Sequence, residues 1–155
     1  MSEERNEAGT PRALFDRLNA EYAFTIDVAA VAWNAKLPRY LTPADDALSC
    51  HWRGERAYIN PPFKNIPPFL AHALEPDLAV FLLPVRSDRE WWRRFKPLAE
   101  VHYFVGEAPH ARVQYEPPPG IKYSSNATCD CLLCFGGSFT PGRELWRSGR
   151  TGELL

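Results

Sequence analysis

Apolar residues in this chain are grouped in short runs that favour strands, separated by stretches in which they recur at helical spacing. The predicted strands span residues 23–28, 56–59, 78–84, 101–105 and 131–135. Between them, the spacing of apolar residues predicts helices that begin at residues 11, 66 and 88. Because helices and strands alternate, the expected fold is α/β, with a mainly parallel sheet flanked by helices.

The clearest strand is the unbroken apolar run from Leu78 to Pro84. Such a run, with no polar alternation, is typical of a central strand covered on both faces. The first helix is predicted to have Thr10 as its N-cap and Pro11 as its first residue. It should end near residues 19–20.

Three parts of the chain lack apolar periodicity. Residues 1–9 are polar and acidic, which predicts a flexible tail before a single domain over residues 10–155. Residues 106–125 include three consecutive prolines, so we expect a long loop that is mobile or functional. Residues 143–150 contain three arginines and predict a basic, weakly structured C-terminal tail.

Composition indicates an ordinary globular protein. The 155 residues suffice for one domain with a real core, and the 15 prolines favour many junctions between strands and loops. The formal net charge of -1 does not indicate a general nucleic-acid binder, so phosphate contacts would need a local patch. Without a signal-peptide pattern or a membrane-length apolar run, we expect a soluble, cytoplasmic protein with no membrane partner.

Four cysteines raise the question of metal binding. Cys129, Cys131 and Cys134 form a Cys-x-Cys-x-x-Cys pattern, with Cys50 distant in the chain. Zinc is one interpretation, but this spacing is not that of a standard structural site, and the pattern lies in an apolar, strand-like run. Buried or half-buried free thiols are favoured, with no metal and no disulfide.

The most unusual stretch is Asn60-Pro61-Pro62-Phe63, which follows the predicted strand 56–59. Two prolines remove two backbone donors and fix two φ angles, so the strand must stop at Asn60. The turn then presents an amide side chain, carbonyls without competing N–H groups, and an aromatic ring. On its own, this tetrapeptide is equally consistent with a plain strand terminator and with an active site.

A second candidate is Asp27, near the end of the predicted strand 23–28 and before the small residues Ala29 and Ala30. An acid followed by small residues at a strand end is an arrangement that α/β folds use to bind ligands. No glycine-rich fingerprint accompanies it. From these residues alone, a solvated loop aspartate is the favoured interpretation.

Several motifs occur in a fixed order between residues 10 and 105. They are Thr10-Pro11, Phe24-Thr25-Ile26-Asp27-Val28-Ala29-Ala30, Asn34-Ala35-Lys36, Tyr40-Leu41-Thr42, Asp45-Asp46-Ala47-Leu48, Trp52-Arg53-Gly54, Asn60-Pro61-Pro62-Phe63, Leu82-Leu83-Pro84, and Asp88 with Trp91-Trp92. This series resembles the phage-type DNA N6-adenine methyltransferase family. The resemblance implies a Rossmann-like fold that depends on S-adenosylmethionine (AdoMet) and a DNA substrate.

The resemblance also implies catalytic roles. The side chain of Asn60 and the carbonyl of Pro61 would accept hydrogen bonds from the adenine N6 amine, with Pro62 keeping the turn rigid. Two fixed acceptors favour the geometry that frees the nitrogen lone pair for methyl transfer. Phe63 would stack on a base that has left the helix.

Cofactor contacts follow from the same resemblance. Asp27, Ala29 and Ala30 would line the AdoMet pocket, with Thr10-Pro11 near its methionine end and Asp46 as a further contact. DNA phosphates would meet a group of arginines, for which a solvated helix face is an equal alternative. These are Arg86, Arg89, Arg93 and Arg94. Trp91 and Trp92 are expected to pack rather than to stack on bases.

The sequence departs from the family pattern at three places. Ala47 stands where glycine is usual, Gly106-Glu107 stands where glycine, arginine and an aromatic are usual, and the cysteine-rich strand replaces a small-then-apolar stretch. Target recognition is expected in residues 106–125. Other functions stay open: a transferase acting on RNA or on a protein amide, a silent AdoMet-binding or DNA-binding protein, and a zinc module.

Overall fold

The computed structural model describes residues 9–30, 33–42, 45–107, 112–117, 119–120 and 129–155. The flexible tail predicted for residues 1–9 therefore lies outside the described residues except for Gly9. Much of the loop predicted at 106–125 lies outside them as well. Within the described ranges, no helix has the length and apolar character needed to cross a bilayer.

The described residues form six strands and three short helices. In chain order they are α1 (Arg12–Tyr22), β1 (Ile26–Val28), β2 (Arg56–Ile59), α2 (Ile66–Leu70), β3 (Leu78–Pro84), α3 (Glu90–Phe95), β4 (Glu100–Val105), β5 (Asp130–Gly136) and β6 (Glu144–Ser148). One 3-10 turn precedes α2 at Phe63–Asn65, and another follows α3 at Lys96–Leu98. The predicted α/β class is confirmed.

The strands form one mixed sheet in the order β1-β2-β3-β5-β4-β6. β1, β2 and β3 are parallel, with Asp27 opposite Tyr58 and Tyr58 opposite Val80. β5 is antiparallel to both of its neighbours, whereas β6 is parallel to β4. The carboxyl ends of β1, β2 and β3 therefore meet at one edge of the sheet.

Helices cover both faces of the sheet, as the apolar β3 predicts. On one face, Val80 and Leu82 pack with Leu14, Phe15 and Leu18 of α1. On the other face, Phe81 and Leu83 pack with residues of α2 and α3, including Ile66, Phe69, Leu70 and Trp92. Every residue of β3 is buried. The expectation that Trp92 packs in the core is confirmed.

The cysteine-rich strand separates its two thiols. Cys131 belongs to the core on the α2 face and Cys134 to the core on the α1 face, because their positions point to opposite sides of the sheet. Both thiols are free and buried, whereas Cys50 is half-buried and Cys129 is exposed. Cys131 and Cys134 therefore cannot share one metal ion without distorting the sheet.

Two expectations about α1 are wrong. Pro11 occupies the N-cap and its carbonyl accepts the first helical bond from Phe15 N (3.0 Å), while the Thr10 hydroxyl contacts the Tyr58 hydroxyl (2.5 Å). The helix also runs to Tyr22, beyond the predicted end, because Ala23 takes a left-handed φ of 50° and terminates it.

The expectation of a weakly structured C-terminal tail is wrong. Residues of this segment form β6, and Arg147 within it is 0% exposed. Its guanidinium donates to both carboxylate oxygens of Glu21 (2.9 and 3.0 Å) and to the Gly152 carbonyl (2.7 Å). Gly152 has a φ of +78°, and a Cβ there would lie 2.9 Å from Leu14 Cδ1. The C-terminus is therefore packed tightly onto α1.

Arg147 also orients a buried histidine, His102, through a hydrogen bond. Its Nε donates to His102 Nδ1 (2.9 Å), so the neutral ring carries its proton on Nε2 and donates to Glu100 Oε1 (2.7 Å). Burial lowers the pKa of His102, which favours this neutral form. Glu100 in turn accepts from Thr140 N (2.9 Å). The network joins β4, β6 and α1 through satisfied polar groups.

Arg147→Met should destabilise the protein, because it leaves Glu21 and the Gly152 carbonyl without their buried donor. We expect a loss of about 3 kcal/mol in the free energy of unfolding, measured by urea denaturation. Arg150→Met is the control, since Arg150 is exposed in the same segment and should change stability by less than about 0.5 kcal/mol. Equal stability of the two variants would contradict the role given to Arg147.

Candidate active site

The Asn60-Pro61-Pro62-Phe63 turn stands at the carboxyl end of β2. Pro61 is buried, Asn60 and Phe63 are half-buried, and the Asn65 N–H donates to the Pro62 carbonyl (2.9 Å). Phe63 begins the 3-10 turn that leads into α2. As the prolines predict, the strand stops at this point, and the turn is fixed on both sides by regular structure.

A pocket lies where β1 and β2 end, on the face of the sheet that α1 covers. Its empty volume, which includes space open to solvent, is about 190 Å³, and its walls combine acidic, basic, hydroxyl and amide groups with two alanines. The lining residues are Thr10, Asp27, Ala29, Ala30, Asn34, Lys36, Tyr58 and Asn60.

Asp27 is a buried carboxylate, not a solvated one. It is 4% exposed, and its Oδ2 accepts a hydrogen bond from the backbone N of Lys36 (2.8 Å). Burial raises the pKa of Asp27 to about 6, against the opposing effect of the Lys36 N–H and ammonium. A carboxylate held in this way can accept hydrogen bonds or neutralise a cation in the pocket.

Tyr58 stands next to Asp27 on the neighbouring strand, at the same register position. Its ring packs edge-to-face on Phe15 (5.1 Å between centroids), and its hydroxyl contacts the Thr10 hydroxyl at 2.5 Å. Burial raises the pKa of Tyr58, so the phenol stays protonated. Tyr58 therefore ties Thr10, at the entry to α1, to the floor of the pocket.

The outer edge of β1 is covered by residues 39–41. Asp27 N donates to the Arg39 carbonyl (3.0 Å), while Leu41 N donates to the Asp27 carbonyl (3.0 Å). Ala30 N donates to the Leu41 carbonyl (2.9 Å). This pairing satisfies the strand edge and brings the preceding loop, with Lys36, over the pocket.

A third segment, residues 112–117, packs against the same side of the pocket. Gly9 and Glu116 form an antiparallel bridge with two backbone hydrogen bonds of 2.7 Å. The Glu116 carboxylate also pairs with the ammonium of Lys36. The segment therefore joins the start of the described chain to the loop at the edge of β1.

Tyr115 of this segment reaches the Asn60-Pro61-Pro62-Phe63 turn. Its ring meets Phe63 edge-to-face at 5.9 Å between centroids, and its hydroxyl donates to Asp130 Oδ1 (3.3 Å). The same carboxylate accepts the backbone N–H of Val113 (3.1 Å). Asp130 thus holds two parts of the segment against the start of β5.

The structure brings five of the predicted site residues together in the pocket: Thr10, Asp27, Ala29, Ala30 and Asn60. Pro11 adjoins them at the N-cap of α1. Asp46 is exposed, and its carboxylate accepts from the Ser49 hydroxyl (2.6 Å). The pocket walls do not include Pro11 or Asp46, nor Pro61, Pro62 or Phe63 of the turn, so their roles stay predictions.

The candidate phosphate-binding arginines carry local partners. Arg86, just after β3, forms two hydrogen bonds to Asp88 (2.9 and 2.8 Å), and Arg93 pairs with Glu90. The guanidinium of Arg94 lies 5.2 Å from the ring centroid of Phe95. These pairs are exposed, so they are weak and a phosphate could exchange with them. Phosphate binding stays a prediction.

Comparison with known proteins identifies the family. The sequence matches the family described as DNA N-6-adenine-methyltransferase (Dam) over residues 1–141. The chain belongs to this family. It is also similar to a DNA N-6-adenine-methyltransferase of Haemophilus phage HP1 (strain HP1c1), with 30% identity over 74 residues. That match covers 44% of this chain and 43% of the phage protein. No solved structure matches the chain significantly.

Sequence reasoning about this family member gave no role to Lys36, Tyr58 or Tyr115, which the structure places at the site. Lys36 belongs to the Asn34-Ala35-Lys36 motif, so the sequence did offer a signal for it. Tyr58 reads as a core strand residue, which it also is. Tyr115 lies in a stretch without periodicity and offers no signal of its own.

The carboxyl of Asp27 should titrate with a midpoint near pH 6 in the folded protein. Because its pKa is higher in the folded than in the unfolded chain, the folded state binds the proton more tightly, and stability falls as pH rises from about 4 to 6. The free energy of unfolding should fall by up to about 3 kcal/mol relative to Asp27→Asn over this range. Above about pH 7, where the Asp27 carboxyl is ionised in both states, the difference in the free energy of unfolding between the wild-type protein and Asp27→Asn should stay constant.

Two measurements check this prediction. Carbon-13 NMR of labelled aspartate side chains gives the midpoint of Asp27 directly, and Asp27→Asn identifies its signal. Exposed Asp45, whose pKa is lowered by hydrogen bonds from Thr42, serves as the internal reference. A midpoint for Asp27 below pH 4 would contradict the burial described here.

Proposed function

We propose that this chain transfers a methyl group from AdoMet to the N6 amine of adenine in DNA. The observation that carries the proposal is the meeting of two motifs at one pocket in a member of this family. Asn60 at the end of β2 and Asp27 in β1 line the same cavity. Parallel strands that end at a ligand pocket, with helices on both sheet faces, also support a Rossmann-like arrangement.

Asn60 and Pro61 act on the amine. The amide oxygen of Asn60 and the carbonyl of Pro61 accept its two hydrogen bonds, which draws the nitrogen out of conjugation with the ring. Acceptors that are fixed before the reaction need no reorientation at the transition state. The rigid Pro61-Pro62 pair and the adjoining 3-10 turn support this fixed orientation.

Phe63 supplies the surface on which the adenine ring lies. A base inside a duplex is out of reach, so the target nucleotide must leave the stack and enter the site. Aromatic side chains stabilise such a base through stacking. The edge-to-face contact of Tyr115 with Phe63 limits how the Phe63 ring can turn. Catalysis thus uses Asn60, Pro61, Pro62 and Phe63 as one unit.

The pocket suits a zwitterionic nucleoside cofactor. Its walls offer hydroxyl, amide and carboxylate groups for hydrogen bonding, groups of both charges, and two alanines that leave room. When bound, AdoMet supplies an electrophilic methyl group on a positively charged sulfur. Thr10, Asp27, Ala29 and Ala30 hold it, and Pro11 and Asp46 are proposed as further contacts.

DNA is the proposed partner, and the cytoplasm follows as the proposed location. The net charge of -1 means that attraction to DNA must be local. Arg86 lies at the carboxyl end of β3, on the same sheet edge as Asn60. Exchange of its Asp88 partner for a phosphate would place DNA beside the pocket.

Asn60→Ala should lower methyl transfer to DNA by at least about 100-fold, because it removes a fixed acceptor that acts on the reacting amine. Asn65→Ala is the matched control, since this exposed asparagine lies in the next turn and makes no capping bond. Labelled AdoMet with DNA, RNA and protein substrates measures transfer. Methylated-base sequencing of DNA from expressing cells identifies the modified atom and target.

The outcomes separate the alternatives. Full activity of Asn60→Ala, with unchanged circular dichroism, would overturn the proposed mechanism. Transfer to RNA or protein but not to DNA would replace the substrate. Calorimetric binding of AdoMet without transfer to any substrate would favour a silent binding protein.

A further inference from the structure

The ion pair between Lys36 and Glu116 differs in burial from the ion pair between Lys96 and Glu144. The Lys36 side chain is only 7% exposed, while that of Glu116 is 43% exposed. Lys96 and Glu144, by comparison, pair at the far edge of the sheet with side chains 31% and 37% exposed. A lysine ammonium is strongly hydrated, so burying it requires a compensating charge.

The pair stands at the wall of the pocket. Lys36 is a lining residue, and its backbone N–H is bonded to Asp27. Glu116 lies against Gly9, where an added Cβ would be 3.4 Å from Glu116 Oε1. Gly9 immediately precedes Thr10, another lining residue. The two charges therefore flank the side of the pocket at which the chain enters α1.

An ion pair with one buried partner, here Lys36, can exchange partners with a zwitterion at a ligand site. Removing one partner of a buried pair leaves an uncompensated charge, which is strongly unfavourable. A ligand that carries both a carboxylate and an ammonium avoids this penalty, because two pairs replace one and no charge is left alone. An amino acid group is the simplest ligand of that kind.

We propose that Lys36 and Glu116 receive the amino-acid end of the cofactor, with Lys36 binding its carboxylate and Glu116 its ammonium. This inference rests on the proposed function, which supplies a cofactor with a methionine group. The pair then selects for the complete cofactor over nucleosides that lack the amino acid. Glu116 belongs to the segment that carries Tyr115. A change of partner at Glu116 would therefore also affect the Tyr115 ring, which contacts Phe63.

The test compares two ligands by isothermal calorimetry. S-adenosylhomocysteine carries the amino-acid end, whereas 5′-methylthioadenosine has the same nucleoside and sulfur without it. Lys36→Met should weaken binding of S-adenosylhomocysteine by at least about tenfold, because the carboxylate of the ligand loses the ammonium that pairs with it. Binding of 5′-methylthioadenosine should change less than about twofold, since this ligand has no carboxylate or ammonium to pair.

Further variants isolate the charge from the fold. Lys36→Arg keeps the positive charge and should recover most of the affinity for S-adenosylhomocysteine. Glu116→Gln should also weaken that ligand selectively, since it removes the charge that meets the ammonium. Lys96→Met removes a more exposed lysine–glutamate pair at the far sheet edge and should leave both affinities unchanged. Thermal unfolding of each variant identifies any that fails to fold.

The results are decisive in each case. Equal weakening of both ligands by folded Lys36→Met or Glu116→Gln, or tighter S-adenosylhomocysteine binding by Glu116→Gln, would overturn the inference. If Lys36→Met does not fold, the Lys36→Arg and Glu116→Gln pair decides it. If the wild-type protein binds S-adenosylhomocysteine normally, these variant results would overturn the inference about Lys36 and Glu116 but not the proposed function. A wild-type protein that binds neither ligand would overturn both.

Discussion

The buried carboxylate of Asp27 is the constraint on which the site depends. β1 is only three residues long, and Asp27 sits at its centre with 4% exposure. A buried carboxylate without donors would be strongly unfavourable, so the chain must return a polar group to it. The Lys36 N–H meets that need, and the backbone bonds of residues 39–41 hold the returning loop in place. The need of the buried Asp27 carboxylate for a hydrogen-bond donor thus accounts for the loop that forms this wall of the pocket.

Local pattern was enough to predict the frame of the molecule. β2, β3 and β5 appear as expected because their apolar runs are buried on both faces, and such burial is visible in a few consecutive residues. The prolines after Ile59 stop β2 where they must. The end of α1 was missed, since Ala23 takes a left-handed conformation that sequence assigns to glycine or asparagine.

Distant partners account for the rest of what the sequence could not show. The segment that contains Arg147 appeared to be a solvated tail because arginine is normally exposed. Its burial depends on Glu21, which lies 126 positions earlier. The Lys36–Glu116 pair spans 80 positions and joins two stretches without periodicity. No local sequence pattern indicates either pair, so neither could be predicted without the structure.

The site therefore combines two kinds of support. Asn60 follows a central strand, and the prolines after it leave its backbone little freedom, which suits its proposed role of orienting a reacting nitrogen. Lys36 and Glu116 stand on segments held by isolated bridges and by their own ion pair, and the proposed exchange with a zwitterion would leave neither charge alone. A ligand that must enter and leave is served better by exchangeable charges than by a fixed strand end. Rigidity is thus concentrated where the chemistry would occur, and exchange where binding would occur.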